Sequence, residues 1–168
     1  LAYGAAAWPT SSGPDRYRRG LYTSWKRANR YPAILGFDAP ARDACVVKRI
    51  VSNTPLQALT LLNDPVYVEA AQALARRVLQ HGPEGSREKL VYAFRLCTGR
   101  SPTSIEVDRL AAFLGRQLER FASGEVDAAA VALPGPGAPP AGMDLNELAA
   151  WTMVSNVLLN LDETITRG

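Results

Sequence analysis

Apolar and polar positions fall into two regimes along the chain. Residues 1–53 are punctuated by Pro and Gly and show weak periodicity, whereas from residue 54 apolar side chains recur at helical spacing. The first sharp signal is Thr54-Pro55-Leu56-Gln57: Thr54 can cap a helix, Pro55 suits the first helical position, and Gln57 can reach back to complete a capping box. It predicts a helix through Leu56, Leu59, Thr60 and Leu62 that stops near Asn63. Asp64-Pro65 repeats the start signal, and Val68, Ala71, Leu74, Ala75, Val78 and Leu79 follow at helical spacing until Gly82-Pro83. Ser86 opens the next helix, with Leu90, Ala93, Phe94 and Cys97 at i, i+3, i+4 and i+7, and Gly99 closes it. Thr103-Ser104-Ile105-Glu106 is a second capping box, leading Val107, Leu110, Leu114, Leu118 and Phe121 along one face to Gly124. Residues 131–142 are rich in Pro and Gly and predict a loop. Asp144-Leu145-Asn146-Glu147 then starts a last helix with Leu148, Trp151, Ser155, Leu158 and Leu159 on one face.

These elements predict an all-α, mostly helical fold with an irregular N-terminal third. Leu21-Tyr22-Thr23 and Val46-Val47 are β-prone and are the candidate strands of a short two-stranded ribbon. The expected organisation is a single helical domain over 1–168: an irregular segment at 1–53, a helical core at 54–124, a Pro/Gly-rich loop at 125–143, and a final helix at 144–168 packing back on the core. A length of 168 residues fits one domain. The opening Leu1-Ala2-Tyr3-Gly4 has no initiator Met and no signal-peptide pattern, so the chain is expected to be an internal cut through a longer protein.

Composition narrows the chemistry. A hydrophobic fraction of 47% and a charged fraction of 21% suit a globular core, and no apolar stretch is long enough to span a membrane. The net charge of +3 is carried mainly by arginine. The basic residues Arg16, Arg18, Arg19, Lys26, Arg27 and Arg30 interleave with Tyr17, Tyr22, Trp25 and Tyr31, a pattern that can bind nucleic acid. The favoured reading packs those aromatics inward and pairs or solvates the arginines. Cys45 and Cys97 stand alone, which removes C-x-x-C zinc, redox and covalent haem motifs. A disulfide between them stays open, as does a Cys97–His81 pair, although Cys97 lies on a core stripe. With His81 the single histidine, no Ser-His-Asp triad or His-rich metal site can be built.

Several runs together resemble a known family. They are Arg18-Arg19-Gly20-Leu21-Tyr22 with Trp25-Lys26, Phe37-Asp38-Ala39-Pro40, and Ser52-Asn53-Thr54-Pro55-Leu56-Gln57-Ala58-Leu59. Leu61-Leu62-Asn63-Asp64-Pro65, Ala93-Phe94-Arg95 with Gly99-Arg100, and Leu158-Leu159-Asn160-Leu161-Asp162-Glu163 continue the pattern. The chain resembles the domain of unknown function 1553 family, the first planctomycete-specific secreted domain. The resemblance implies a module at the C-terminal end of a large exported protein, periplasmic or extracellular, behind a cytochrome-c-like module that holds covalent haem. It brings no reaction with it.

The candidate binding residues are Tyr22, Trp25, Asp38, Arg42, Arg49 and Asn53. Aromatics beside Arg and Asp are what a polysaccharide site uses, and binding residues concentrate in irregular chain. Charge-assisted Arg–carboxylate pairs that lock loops onto helices are the favoured account of Asp38, Arg42 and Arg49. Asn63, Asp64, Asn160, Asp162 and Glu163 offer oxygen ligands to a hard cation, but without EF-hand spacing. The leading expectation is a non-catalytic helical module, without its own cofactor or metal, that packs on other domains of the same polypeptide. An enzyme or carbohydrate-binding surface completed from upstream, and nucleic-acid binding through residues 15–31, are the rivals.

Overall fold

Pro, Gly and short polar side chains set the element boundaries. The computed structural model describes residues 8, 11, 13–23, 26, 30–40, 44–48, 50–135 and 139–166. Among them are two 3-10 turns, Gly13–Tyr17 and Gly20–Tyr22, and eight α-helices: α1 Pro32–Gly36, α2 Pro55–Asn63, α3 Pro65–His81, α4 Ser86–Thr98, α5 Ser104–Ala122, α6 Ala128–Ala132, α7 Leu145–Leu159 and α8 Asp162–Ile165. The fold is all-α. The candidate β-ribbon is corrected: no strand occurs among the described residues, and Leu21 and Tyr22 lie in a 3-10 turn closed by Thr23 N–H donating to the Gly20 carbonyl at 3.1 Å. Val46 and Val47 are exposed, so their β-propensity finds no pairing surface to act on.

The chain divides into two compact units, Leu1–Thr60 and Leu61–Gly168. In the first, α1 ends in a Schellman-type turn. Asp38 follows the C-cap Phe37 with a left-handed φ of +57°, and Ala39 N–H donates to the Ile34 carbonyl at 3.1 Å. Glycine is usual at that position; Asp is among the few others that tolerate it. The start of α2 is the expected capping box, with Thr54 N–H donating to Gln57 Oε1 at 2.8 Å and Gln57 N–H to Thr54 Oγ1 at 3.2 Å.

The second unit is a bundle built around α7. Asp144 caps α7 by accepting from Glu147 N–H at 2.8 Å. The helix then buries Leu148, Ala149, Ala150, Trp151, Thr152, Val154, Ser155 and Leu158, that is, nearly its whole circumference. A helix apolar all round has to sit inside. Neighbours α3, α4, α5, α6 and α8 surround it. Each outer helix turns one stripe inward: Ala71, Ala75 and Val78 from α3; Leu90, Ala93, Phe94 and Cys97 from α4; Val107, Leu114 and Phe121 from α5. Asp64 caps α3 through Val66 N–H at 2.9 Å, and Thr103 with Glu106 forms the capping box of α5. Gly99, at φ +80°, ends α4 in the left-handed conformation that favours glycine.

The segment between α5 and α7 departs from a plain loop. Asp127 caps the short α6 by accepting from Ala129 N–H at 2.9 Å, and α6 packs on α7 with Ala128, Ala132 and Leu133 buried. Gln72, itself buried, donates from Nε2 to the Val131 carbonyl at 2.8 Å and ties α6 to α3.

Candidate functional site

Of the six residues singled out by sequence, Trp25, Arg42 and Arg49 lie outside the described residues. Tyr22 ends the second 3-10 turn with its side chain 62% exposed. Arg19 donates to its hydroxyl at 3.1 Å and lies 5.6 Å from its ring centroid. Asn53 is exposed and directly precedes the Thr54 cap. Asp38 is the candidate around which polar groups converge.

That convergence has a local origin. The left-handed turn at Asp38 ends α1, and the carboxylate meets Ser52, ahead of α2, and Gln57 in its first turn. Ser52 N–H donates to Oδ2 at 2.7 Å, and the Ser52 hydroxyl lies 2.7 Å from Oδ2 and 2.9 Å from Oδ1. Gln57 Nε2 donates to Oδ2 at 3.2 Å and approaches Ser52 Oγ at 3.4 Å. Gln57 is 3% exposed, and its Oε1 is occupied by Thr54 N–H. One buried amide therefore links the Asp38 turn to the α2 cap. The Ser52 hydroxyl and N–H, with Gln57, hold the Asp38 carboxyl below its usual value. A lowered pKa makes a carboxylate a weaker base, so the Ser52–Asp38 contact is poorly suited to generating a nucleophile. His81, the only histidine, is exposed at the end of α3.

In the basic segment the expected inward packing of the aromatics is corrected at Tyr17 and Tyr22, each 62% exposed, while other side chains of the segment engage neighbours. Arg18 pairs with Asp15 at 2.7 Å, Lys26 Nζ lies 4.3 Å from the Trp8 ring centroid, and Tyr31 meets Trp8 edge-on at 5.4 Å. The thiols are both free: Cys45 is exposed, while Cys97 is buried in α4 and burial pushes its pKa up to about 11.

A second polar cluster was not foreseen from sequence. Arg100 binds Glu106 through two bonds, at 2.6 and 3.0 Å, and Glu163 through two more, both at 2.7 Å. It also donates to the Ser101 carbonyl at 3.2 Å and lies 4.8 Å from the Phe94 ring centroid. Glu106 accepts from Thr103 N–H at 2.6 Å as well. Arg100, aided by Thr103, brings Glu106 down to about 2, and holds Glu163 below its usual value. The clasp fixes α8 to the start of α5. It also occupies Glu163, one of the oxygens considered for a cation, and Asp64 is occupied in capping α3. Among the described residues no three His, Cys, Asp or Glu side chains gather as a metal site, and no helix is long and apolar enough to cross a membrane.

The family model described as PSD1, protein of unknown function (DUF1553), matches residues 3–114. Neither a curated protein nor a solved structure matches the chain. The matched span runs from the irregular first third into α5 and contains Asp38, Ser52, Gln57, Arg100 and Glu106; α6, α7 and α8 lie beyond it. With well over half its length inside that match, the chain belongs to the PSD1 family of proteins of unknown function (DUF1553).

Proposed function

We propose that the chain is a non-catalytic helical interaction module of an exported, multidomain, cytochrome-linked protein, packing against other domains of the same polypeptide. The observation that carries this reading is the fate of the polar residues. Asp38, Ser52, Thr54 and Gln57 are used up in joining a turn to a helix start, and Arg100, Glu106 and Glu163 in closing a helix end. A catalytic centre needs a nucleophile, a base and an orienting group left available to substrate. Covalent haem does not fit this chain, since Cys45 and Cys97 are isolated, and on this reading belongs to a partner module. The test is association in trans: the chain and the remaining part of its parent polypeptide, produced separately, form a complex on size-exclusion chromatography. Separate elution even at concentrations of about 1 mM, the effective concentration that a short linker supplies within one polypeptide, counts against the module reading.

The exposed Tyr22 ring favours one alternative, a polysaccharide-binding surface completed by upstream domains. Retention of the full-length parent on insoluble polysaccharide, lost in Tyr22→Ala, would move that alternative to first place.

A further inference from the structure

The first unit turns an apolar surface outward beside α2. Leu56 and Leu59, one turn apart on α2, are 65% and 58% exposed, while Gln57 and Leu61 on its other side are buried. Val46, Val47, Ile50 and Val51, in the chain leading to the helix, are exposed as well. Isolated exposed apolar residues are ordinary, but a run of them within one short stretch marks an interaction surface.

Charge indicates what covers it. Residues 1–60 hold nine of the 19 Lys and Arg but only three of the 16 Asp and Glu. The first unit is therefore strongly basic, and the rest of the chain carries a net negative charge. Lys48 stands exposed within the apolar stretch itself. Two copies meeting through this surface would bring like charges together. The acidic remainder of a second copy offers, among its described large apolar residues, only Leu62 and Ile105 as a counterpart. A lipid surface fits less well, because an interfacial helix carries Lys or Arg flanking its apolar face and α2 has neither. An acidic protein segment with an apolar stripe satisfies both features: its leucine-type side chains cover the ridge, and its carboxylates meet the basic unit.

We infer that the α2 ridge of Leu56 and Leu59, with the exposed Ile50 and Val51 of the chain that leads to it, docks an acidic amphipathic helix. The inference rests on the module reading above and names the chemistry of the contact.

The test uses the purified chain and two fluorescein-labelled helical peptides that share one leucine stripe, with glutamate at the polar positions of one and lysine in the other. By fluorescence anisotropy the glutamate peptide binds at least about tenfold tighter than the lysine peptide, and added salt weakens it. Leu56→Asp/Leu59→Asp, and independently Ile50→Asp, reduces that binding by about tenfold or more while far-ultraviolet circular dichroism and the melting temperature stay those of the parent. Equal binding of the two peptides, or binding indifferent to these substitutions, overturns the inference. So does sedimentation as a dimer that Leu56→Asp/Leu59→Asp dissociates, or flotation with phosphatidylserine-containing vesicles. Binding of the glutamate peptide without association in trans counts against the module reading alone. Association in trans that survives Leu56→Asp/Leu59→Asp counts against this surface alone.

Discussion

Glu106 accepts from the Thr103 N–H and from the Arg100 guanidinium, so one carboxylate closes a helix start and holds the arginine that binds Glu163. The same contacts make it sensitive to acid. Its ordinary pKa is 4.5 and its folded value about 2, so the folded protein binds fewer protons across that interval. Its stabilisation is complete above 4.5 and is lost as pH falls towards 2. Melting temperatures measured down that range should fall, and Glu106→Gln should lower the melting temperature near neutrality yet flatten the acid slope. An unchanged slope in the variant would remove Glu106 from the account. The cysteines give a second residue-scale expectation. A thiol reagent at neutral pH should modify exposed Cys45 at once and buried Cys97 only as fast as the protein opens, read by intact mass. Rapid labelling of both thiols would place Cys97 outside the core. Neither Arg100–Glu163 nor Asp38–Ser52 could be paired from sequence. Their partners lie 63 and 14 positions apart, and no periodicity spans such gaps.

At the scale of elements, local chemistry was legible wherever a signal completes itself within one turn. Thr54 with Gln57 and Thr103 with Glu106 form boxes because donor and acceptor stand three residues apart. Thr103→Ala should cost about 1 kcal/mol, within the usual range for a lost N-cap, measurable by urea denaturation. A cost near zero would show that Glu106 and Arg100 hold the helix start unaided. The helix α6 was hidden because the Pro and Gly of the following residues dominate its window, and a five-residue run of Ala and Val has little periodicity to show. The central place of α7 was half legible. Its leucines and Trp151 announce one buried face, while Ala149 and Ala150 are small enough to suit either side of a helix and revealed their burial only in the packed bundle. Leu148→Ala, at a fully buried position on this helix, should cost roughly 2–5 kcal/mol. A loss below about 1 kcal/mol would mean that the bundle does not close around α7 as described.

Across the whole molecule, polar and apolar residues exchange their customary roles near the start of α2. The polar side chains Asp38, Ser52 and Gln57 hold the local fold together, whereas the side chains of Leu56 and Leu59 are exposed. Sequence reading placed the helix correctly and gave no sign of which side would be buried. In α2, where apolar residues occupy most positions, a buried glutamine decides the inward side. That inversion makes the account open to one direct measurement, the melting temperatures of three variants of the isolated chain. Glycine is at least as comfortable as aspartate at the left-handed φ of residue 38, so Asp38→Gly removes the carboxylate without adding strain. Asp38→Gly and Ser52→Ala should each lower the melting temperature by several degrees, while Leu56→Asp/Leu59→Asp leaves it within about one degree of the parent, as substitutions at exposed sites do. The opposite order, with the leucine pair destabilising and the polar pair silent, would contradict the claim that this module spends its polar motif on structure and keeps its leucines for binding.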